Sequence, residues 1–277
     1  MSLYNRKPFK VKDGISLFTN PDEYTQNYED IAIDHTNNTQ GSDSNPWIPI
    51  DIWNEMEYST IDLFTKHSKV RNKNLKLKLL DVGVGLGRLV EKLCSDHDNI
   101  EAYGMDISMS YLKLAKSKGI DVCYSKIEDM PYSDEFFDVI LCTDVLEHVI
   151  DLNLCVAKIL SVLKKGGLLI IRVPNREDLS PYLESSYPYD LAHVRNFDRS
   201  NLEALFTKIF SHKVVSFAPG LFQKRPGWLK YKLPFDLYFR IIFKLLKFLE
   251  RYFPAYERKI LKKLFHPVEI NLVVQKK

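Results

Sequence analysis

Between Leu75 and Asn175, short apolar runs alternate with stretches whose apolar positions recur at helical spacing. "LKLKLLDV" reads as a first strand and "GRLVEKLCSD" as the helix after it. "EAYGMDIS" is a second strand with the helix "MSYLKLAKSKG", and "DVCYSKIEDMP" holds a short third strand. "FFDVILCTDV" is a fourth, "LNLCVAKILSVLKKGG" a long amphipathic helix, and "LLIIRVPN" a fifth strand. The fifth is apolar nearly throughout, as a parallel strand covered on both faces must be. This rhythm predicts an α/β fold with a parallel sheet and right-handed crossovers. Downstream, "DRSNLEALFTKIF" predicts a helix opened by a Ser200–Glu203 capping box, and "SHKVVSFAP" and "VEINLVVQKK" predict two more strands. Upstream, residues 1 to about 74 read as polar and irregular, with "HTNNTQGSDSNP" as a loop. One amphipathic helix stands out there, "IPIDIWNEMEYSTIDLFTKH", with Ile52, Met56, Ile61 and Phe64 on its apolar side. Four segments result: an N-terminal extension with a cap helix (1–74), a core (75–218), a helical insertion (219–267) and a last core strand (268–277).

Composition adds little to this picture, and charge adds more. The 277 residues are 45% hydrophobic and 27% charged, ordinary for a globular protein with a sizeable core. The net charge of +3 conceals an asymmetry: Leu221 to Pro267 holds twelve Lys/Arg against three Asp/Glu, or +9, leaving −6 elsewhere. Cys94, Cys123, Cys142 and Cys155 form no C-x-x-C pair, and three lie in apolar runs, so buried thiols in a reducing compartment are expected. The first residues lack the apolar core of a signal peptide, and no 18-residue apolar span occurs. The expected location is cytoplasmic, with membrane association left to the basic segment.

The stretch "LLDVGVGLGRL" carries the candidate chemistry. Gly83, Gly85 and Gly87 follow the first strand directly and open the next helix, whose N-terminal amides face a ligand. No Lys-Ser or Lys-Thr follows, which excludes a P-loop. A dinucleotide loop puts its third glycine where this chain has Arg88. Asp81 precedes the turn, and Asp106, nineteen residues after Gly87, ends the second strand. A carboxylate there can accept both ribose hydroxyls of an adenosine.

With "YGMDIS", "IEDMPYSDEFFDVILCTDVLEHV" and "LKKGGLLIIRVPN", this loop resembles the ordered motifs of class I S-adenosylmethionine-dependent methyltransferases, most closely the small-molecule branch with the ubiquinone-type O-methyltransferases (methyltransferase type 11). The resemblance covers roughly residues 75 to 217. It implies a Rossmann-like seven-stranded, mostly parallel sheet, with an N-terminal helical addition and a helical insertion before the last strand. It also implies S-adenosylmethionine as cofactor and S-adenosylhomocysteine as product. By the same resemblance Asp81, Gly83, Gly85 and Gly87 would hold the methionine part, and Asp106 the ribose. Ile107 would cover one adenine face, and Ile127 and Glu128 would border the other. Thr143 would offer its backbone to the methionine amino group beside Asp144. One departure is Lys126, where the family often carries an Asp near the adenine amino group.

A hydroxyl acceptor must lose its proton as the new bond forms, and a nearby His or carboxylate can take it. Ligands of open parallel sheets sit beyond the carboxyl ends of the strands, so candidates follow strands four and five. His148 resembles the family's "LEHV" histidine and His193 its His-x-x-x-Phe histidine; for each, a catalytic and a structural role stay open. Asn175 is expected to orient the acceptor. Glu147 resembles a metal-binding acid of the ubiquinone-type branch, but without a second acid clearly beside it no metal is expected. His35, His67, His97, His212 and His266 show no ligand spacing and are expected at the surface.

The basic segment contains a greasy helix. Arg240, Lys244, Lys247 and Arg251 share one face, and large apolar residues fill the rest. Three roles stay open: a cap over the sheet or acceptor pocket, a helix on an anionic membrane across 228–265, or a homodimer interface. The basic residues are interleaved with aliphatics rather than set as an open stripe, so nucleic acid is not expected. The expected activity is methyl transfer, to oxygen, on a small-molecule, sugar or lipid-linked acceptor. The rival is a non-catalytic S-adenosylmethionine-binding or partner-docking protein.

Overall fold

The computed structural model describes residues 2–38, 50–220, 236–253, 256, 260–261 and 263–277. In chain order the strands are β1 (Lys10–Lys12), β2 (Ile15–Leu17), β3 (Leu77–Val82), β4 (Ile100–Asp106), β5 (Asp121–Tyr124), β6 (Phe137–Thr143), β7 (Leu163–Pro174), β8 (Lys213–Pro219) and β9 (Glu269–Gln275). The helices are α1 (Glu23–Asn38), α2 (Ile50–His67), α3 (Arg88–Asp96), α4 (Met109–Ser117), α5 (Leu152–Val162), α6 (Arg199–Ala204) and α7 (Asp236–Tyr252), with a π turn at Leu205–Ile209. One sheet runs β1-β2-β5-β4-β3-β6-β7-β9-β8. Strands β2 to β7 pair in parallel, β9 inserts antiparallel between β7 and β8, and β1 closes a hairpin on β2. The seven expected strands are all present, and the hairpin raises the count to nine.

The unbroken apolar runs of the middle strands follow from burial on both faces. Leu80 and Val82 of β3 join Ile140, Cys142, Cys155 and Ile159 on one side. Leu77 and Leu79 join Phe64, Leu93 and Leu141 on the other. Helix α2 therefore belongs to a helical layer of the sandwich: Met56 and Phe64 are buried and Ile61 packs against the cluster that holds Phe64, while the side chain of Ile52 lies outside the described residues. All three cysteines of the apolar runs are buried and unpaired.

Three local expectations are corrected. The N-terminal extension is not irregular: Asp13 and Gly14 both take positive φ, 53° and 70°, and turn the chain tightly between β1 and β2. Helix α5 stops at Val162, because Leu163 already pairs with Phe137 and Gly166, at φ 75°, bends the strand before pairing resumes at Leu168. The cap of α6 is Asp198, not Ser200. Its carboxylate accepts from Asn201 N at 3.0 Å, and Asn201 Oδ1 accepts from Asp198 N at 2.9 Å. Glu203 turns instead to Arg199.

Candidate active site

A cavity of about 900 Å3 opens beyond the carboxyl ends of β3, β4, β6 and β7, roofed by α1 and α2. Its floor is the glycine loop. Gly83 sits at φ 74°, and a Cβ there would run into Val145 Cγ2, so glycine lets β3 pass the loop after β6 this closely. Gly85 has open space where a Cβ would be, which leaves its backbone bare to a ligand. Its N–H donates to Asp106 Oδ2 at 2.9 Å, and Ser108 N donates to Oδ1 at 2.9 Å, fixing that carboxylate at the end of β4. Burial pushes Asp106 up to about 6, against the lowering pull of these amides. Asp81 is 3% exposed, and its Oδ1 has no protein partner. Burial raises its carboxyl well above the ordinary range, with the nearby Arg172 charge opposing. A buried, orphaned carboxylate oxygen above a bare glycine loop fits a ligand ammonium group. Ile107, Ile127, Glu128, Thr143 and Asp144 line the same cavity.

Two charged groups whose partners the sequence does not show, Arg88 and Arg172, build the walls. Arg88 is 8% exposed and donates from Nε to Glu57 Oε1 at 3.0 Å, tying α3 to α2. Trp53 Nε1 donates to the same oxygen at 2.7 Å. Burial alone would raise Glu57, but the bonds from Arg88 and Lys92 outweigh it and hold the carboxyl low. Arg172, on β7, donates to Asp144 Oδ1 at 3.2 Å and Oδ2 at 2.5 Å, and to Thr60 Oγ1 at 3.2 Å. The Asp144 side chain is thus spent on Arg172, on a backbone with φ 56°.

The far end of the cavity is aromatic and acidic. His193 Nδ1 meets Glu177 Oε2, and Tyr182 OH bridges them, donating to Glu177 Oε1 at 2.7 Å and lying 3.3 Å from His193 Nδ1. The His148 ring stands edge-on to His193, centroids 4.6 Å apart. His148 Nδ1 lies 3.1 Å from Tyr28 OH and 3.3 Å from Ala192 O. Burial, then the neighbouring His193, lowers His148 to about 4, so it is neutral at pH 7. Tyr24, Tyr187 and Tyr189 complete the lining. Glu147 is 1% exposed with neither carboxylate oxygen partnered, and burial, then Asp144, raises it well above the usual range. Donor atoms of Glu147, His148 and His193 lie within 4.8 Å of one another, a set with the composition a divalent transition metal takes.

The structure thus brings His148 and His193 together but not Asn175. Asn175 does not line the cavity; its Nδ2 donates to Pro267 O and its N to Val268 O, both at 2.7 Å. It clamps the chain entering β9, and its expected role toward the acceptor is withdrawn. His35 is also corrected: it is 4% exposed, 2.7 Å from Tyr111 OH. Glu177, Tyr28 and Tyr182 went unread in the sequence; the one cue was the tyrosine-rich "SPYLESSYPYD" after β7.

The methyltransferase-domain family (Methyltransf_11) matches residues 80–171, the strands and loops that floor this cavity. The chain is 32% identical over 176 residues to the uncharacterized protein MJ0638 of Methanocaldococcus jannaschii, covering 62% of this chain and 72% of that one. It is 31% identical over 122 residues to a ubiquinone biosynthesis O-methyltransferase of Rickettsia conorii, covering 42% and 41%. A further M. jannaschii protein, MJ1123, matches over 45% of its length, so several curated relatives are spanned by less than half. Among solved structures, a possible histamine N-methyltransferase of Thermotoga maritima shares the fold at a TM-score of 0.56 and 19% identity, over 91% of this chain and 99% of that one. The putative methyltransferase of Haloferax volcanii, seen with its Trm112 activator, gives 0.57 at 13%, over 93% and 99%. The methyltransferase-domain match across the strands that floor the cavity, the shared fold and a glycine loop open to a ligand agree, and the chain belongs to the class I S-adenosylmethionine-dependent methyltransferases.

Proposed function

We propose that the protein transfers a methyl group from S-adenosylmethionine to a hydroxyl oxygen of a small-molecule, sugar or lipid-linked acceptor. The Glu177–His193 pair at the cavity's far end carries this reading. Held on the glycine loop, the cofactor would supply an electrophilic methyl to the acceptor oxygen and depart as S-adenosylhomocysteine. Asp81 would hold the ammonium and Asp106 the ribose diol. Glu177 accepts from His193 Nδ1, fixes the ring's tautomer and leaves Nε2 to take the hydroxyl proton. Tyr28, Tyr182 and Tyr187 would pack on the acceptor. The cationic side chains Arg88, Lys126 and Arg172 that line the cavity are engaged by Glu57, Asp22 and Asp144, which favours an uncharged acceptor over an anionic one.

The test is release of S-adenosylhomocysteine from labelled cofactor with neutral phenols, glycosides and lipid-linked alcohols as acceptors. Turnover on a hydroxyl acceptor, lost in Glu177→Gln, supports the reading; cofactor binding without turnover on any of them replaces it with the non-catalytic one. A second reading rests on Glu147, whose two orphaned oxygens face both histidines. A divalent cation held there would acidify the acceptor hydroxyl directly. Activity lost on chelation and restored by added metal would put the cation in place of the His193 base.

A further inference from the structure

Helix α7 shows two apolar faces, and among the described residues only one packs against another segment. Ile242 and Leu246 pack against Leu261 and Phe265 of the segment that leads into β9. On a different face, Ile241, Leu245, Phe248 and Tyr252 recur at spacings of four, three and four, and each is 51–57% exposed. Phe253 and Tyr256 extend this stripe past the helix end, exposed by 50% and 64%. Ring contacts of 4.9 Å for Phe248–Tyr252, 6.4 Å for Phe248–Phe253 and 6.5 Å for Phe253–Tyr256 make them one surface cluster. A contiguous apolar surface of this kind marks an interaction site.

Charge identifies what it meets. At 100° per residue, Lys244, Lys247 and Arg251 fall together on the flank of the exposed stripe opposite the packed face, and all three are exposed. The guanidinium of Arg251 lies 5.5 Å from the Tyr252 ring centre, at the border between the two. The side chains of Arg240, Phe243 and Glu250 lie outside the described residues. The whole insertion carries +9 while the remainder of the chain carries −6, so the excess positive charge of the sequence falls in this segment. A helix with a bulky apolar stripe, aromatic rings and a row of cations beside it fits the interface of an anionic bilayer, stripe in the acyl boundary and cations at the headgroups. No helix among the described residues is long and apolar enough to cross a membrane, so contact is at the surface.

We propose that α7 is a peripheral docking surface for membranes carrying anionic lipid. This stands apart from the methyl-transfer reading, since the stripe lines no part of the cavity among the described residues. The chain does run from α7 into Val268 and Glu269, which line the cavity, so a docked helix would feed a lipid-linked acceptor to it.

The experiment is co-sedimentation of the full chain with phosphatidylcholine vesicles, with and without phosphatidylglycerol, at low and high salt. Sedimentation should require the anionic lipid and fade with salt. Leu245→Glu with Phe248→Glu should abolish it, and Lys244→Glu with Lys247→Glu should lower partitioning more than about tenfold. Circular dichroism and cofactor titration check that each variant folds; the exposed lysine pair keeps the test open if the apolar pair does not. Absence of sedimentation, or equal sedimentation with neutral vesicles, overturns the proposal. So does a dimer in solution that Leu245→Glu with Phe248→Glu turns into monomer, which would give the stripe to a second copy.

Discussion

The two ends of the cavity are built in opposite ways. The cofactor end uses backbone: Gly85 amide, bare loop and strand termini, with Asp81 and Asp106 set by the ends of β3 and β4. The end proposed for the acceptor uses side chains gathered from α1, the loop after β6, the loop after β7 and the start of β9. Backbone geometry is common to every chain that folds this way, whereas a collected set of side chains can be exchanged one at a time. The first end therefore states the family and the second the substrate.

His193→Ala tests that division with the largest effect. It should lower kcat by about 10²–10⁴-fold while leaving cofactor affinity unchanged, as turnover and calorimetry would read. A parallel loss of cofactor affinity would mean that the two ends are not separable.

Next comes pH. His148 falls from 6.5 unfolded to about 4 folded, so the unfolded chain binds the extra proton between these values. Its stabilising contribution is full above 6.5 and is lost as pH falls toward 4, about 3 kcal/mol in all at 1.36 kcal/mol per unit. Asp106, raised to about 6, has the opposite sign: its contribution is present below 3.8 and lost as pH rises to 6. Urea melts across pH 4 to 7 should show His148→Gln removing the rise and Asp106→Asn removing the fall, one titration for each end.

Asp106→Ala should weaken cofactor binding by about 1–3 kcal/mol with little change in acceptor KM. The smallest effect belongs to Asn175→Ala, which should cost about 1 kcal/mol of stability through the lost bond to Pro267 and leave acceptor KM alone. A large KM effect would restore Asn175 to the acceptor end.

This division also explains what could be read from the chain. Asp81, Gly83, Gly85, Asp106 and Thr143 lie at or just past strand ends within one ordered stretch, where local pattern fixes position; Gly87 does not line the cavity and sits against Ala115 and Ile120 instead. Tyr28 meets His148 across 120 residues, and Asn175 reaches Pro267 across 92, relations that periodicity does not encode. Arg88 was informative as the residue standing where a third glycine would be, yet its bond to Glu57 spans 31 residues and joins two helices no local signal connects. The β1–β2 hairpin was legible in principle: "KVKDGISL" has Asp-Gly between two short alternating runs, a hairpin signature that the surrounding polar residues obscured.

That hairpin settles how the sheet ends. A parallel sheet stopping at β5 would offer its unpaired amides and carbonyls to any passing strand. β2 takes up that side of β5, and the new outermost strand, β1, is three residues long and carries exposed Lys10 and Lys12. Too short to template a partner and too charged to admit one, it blunts this edge of the sheet against edge-to-edge pairing.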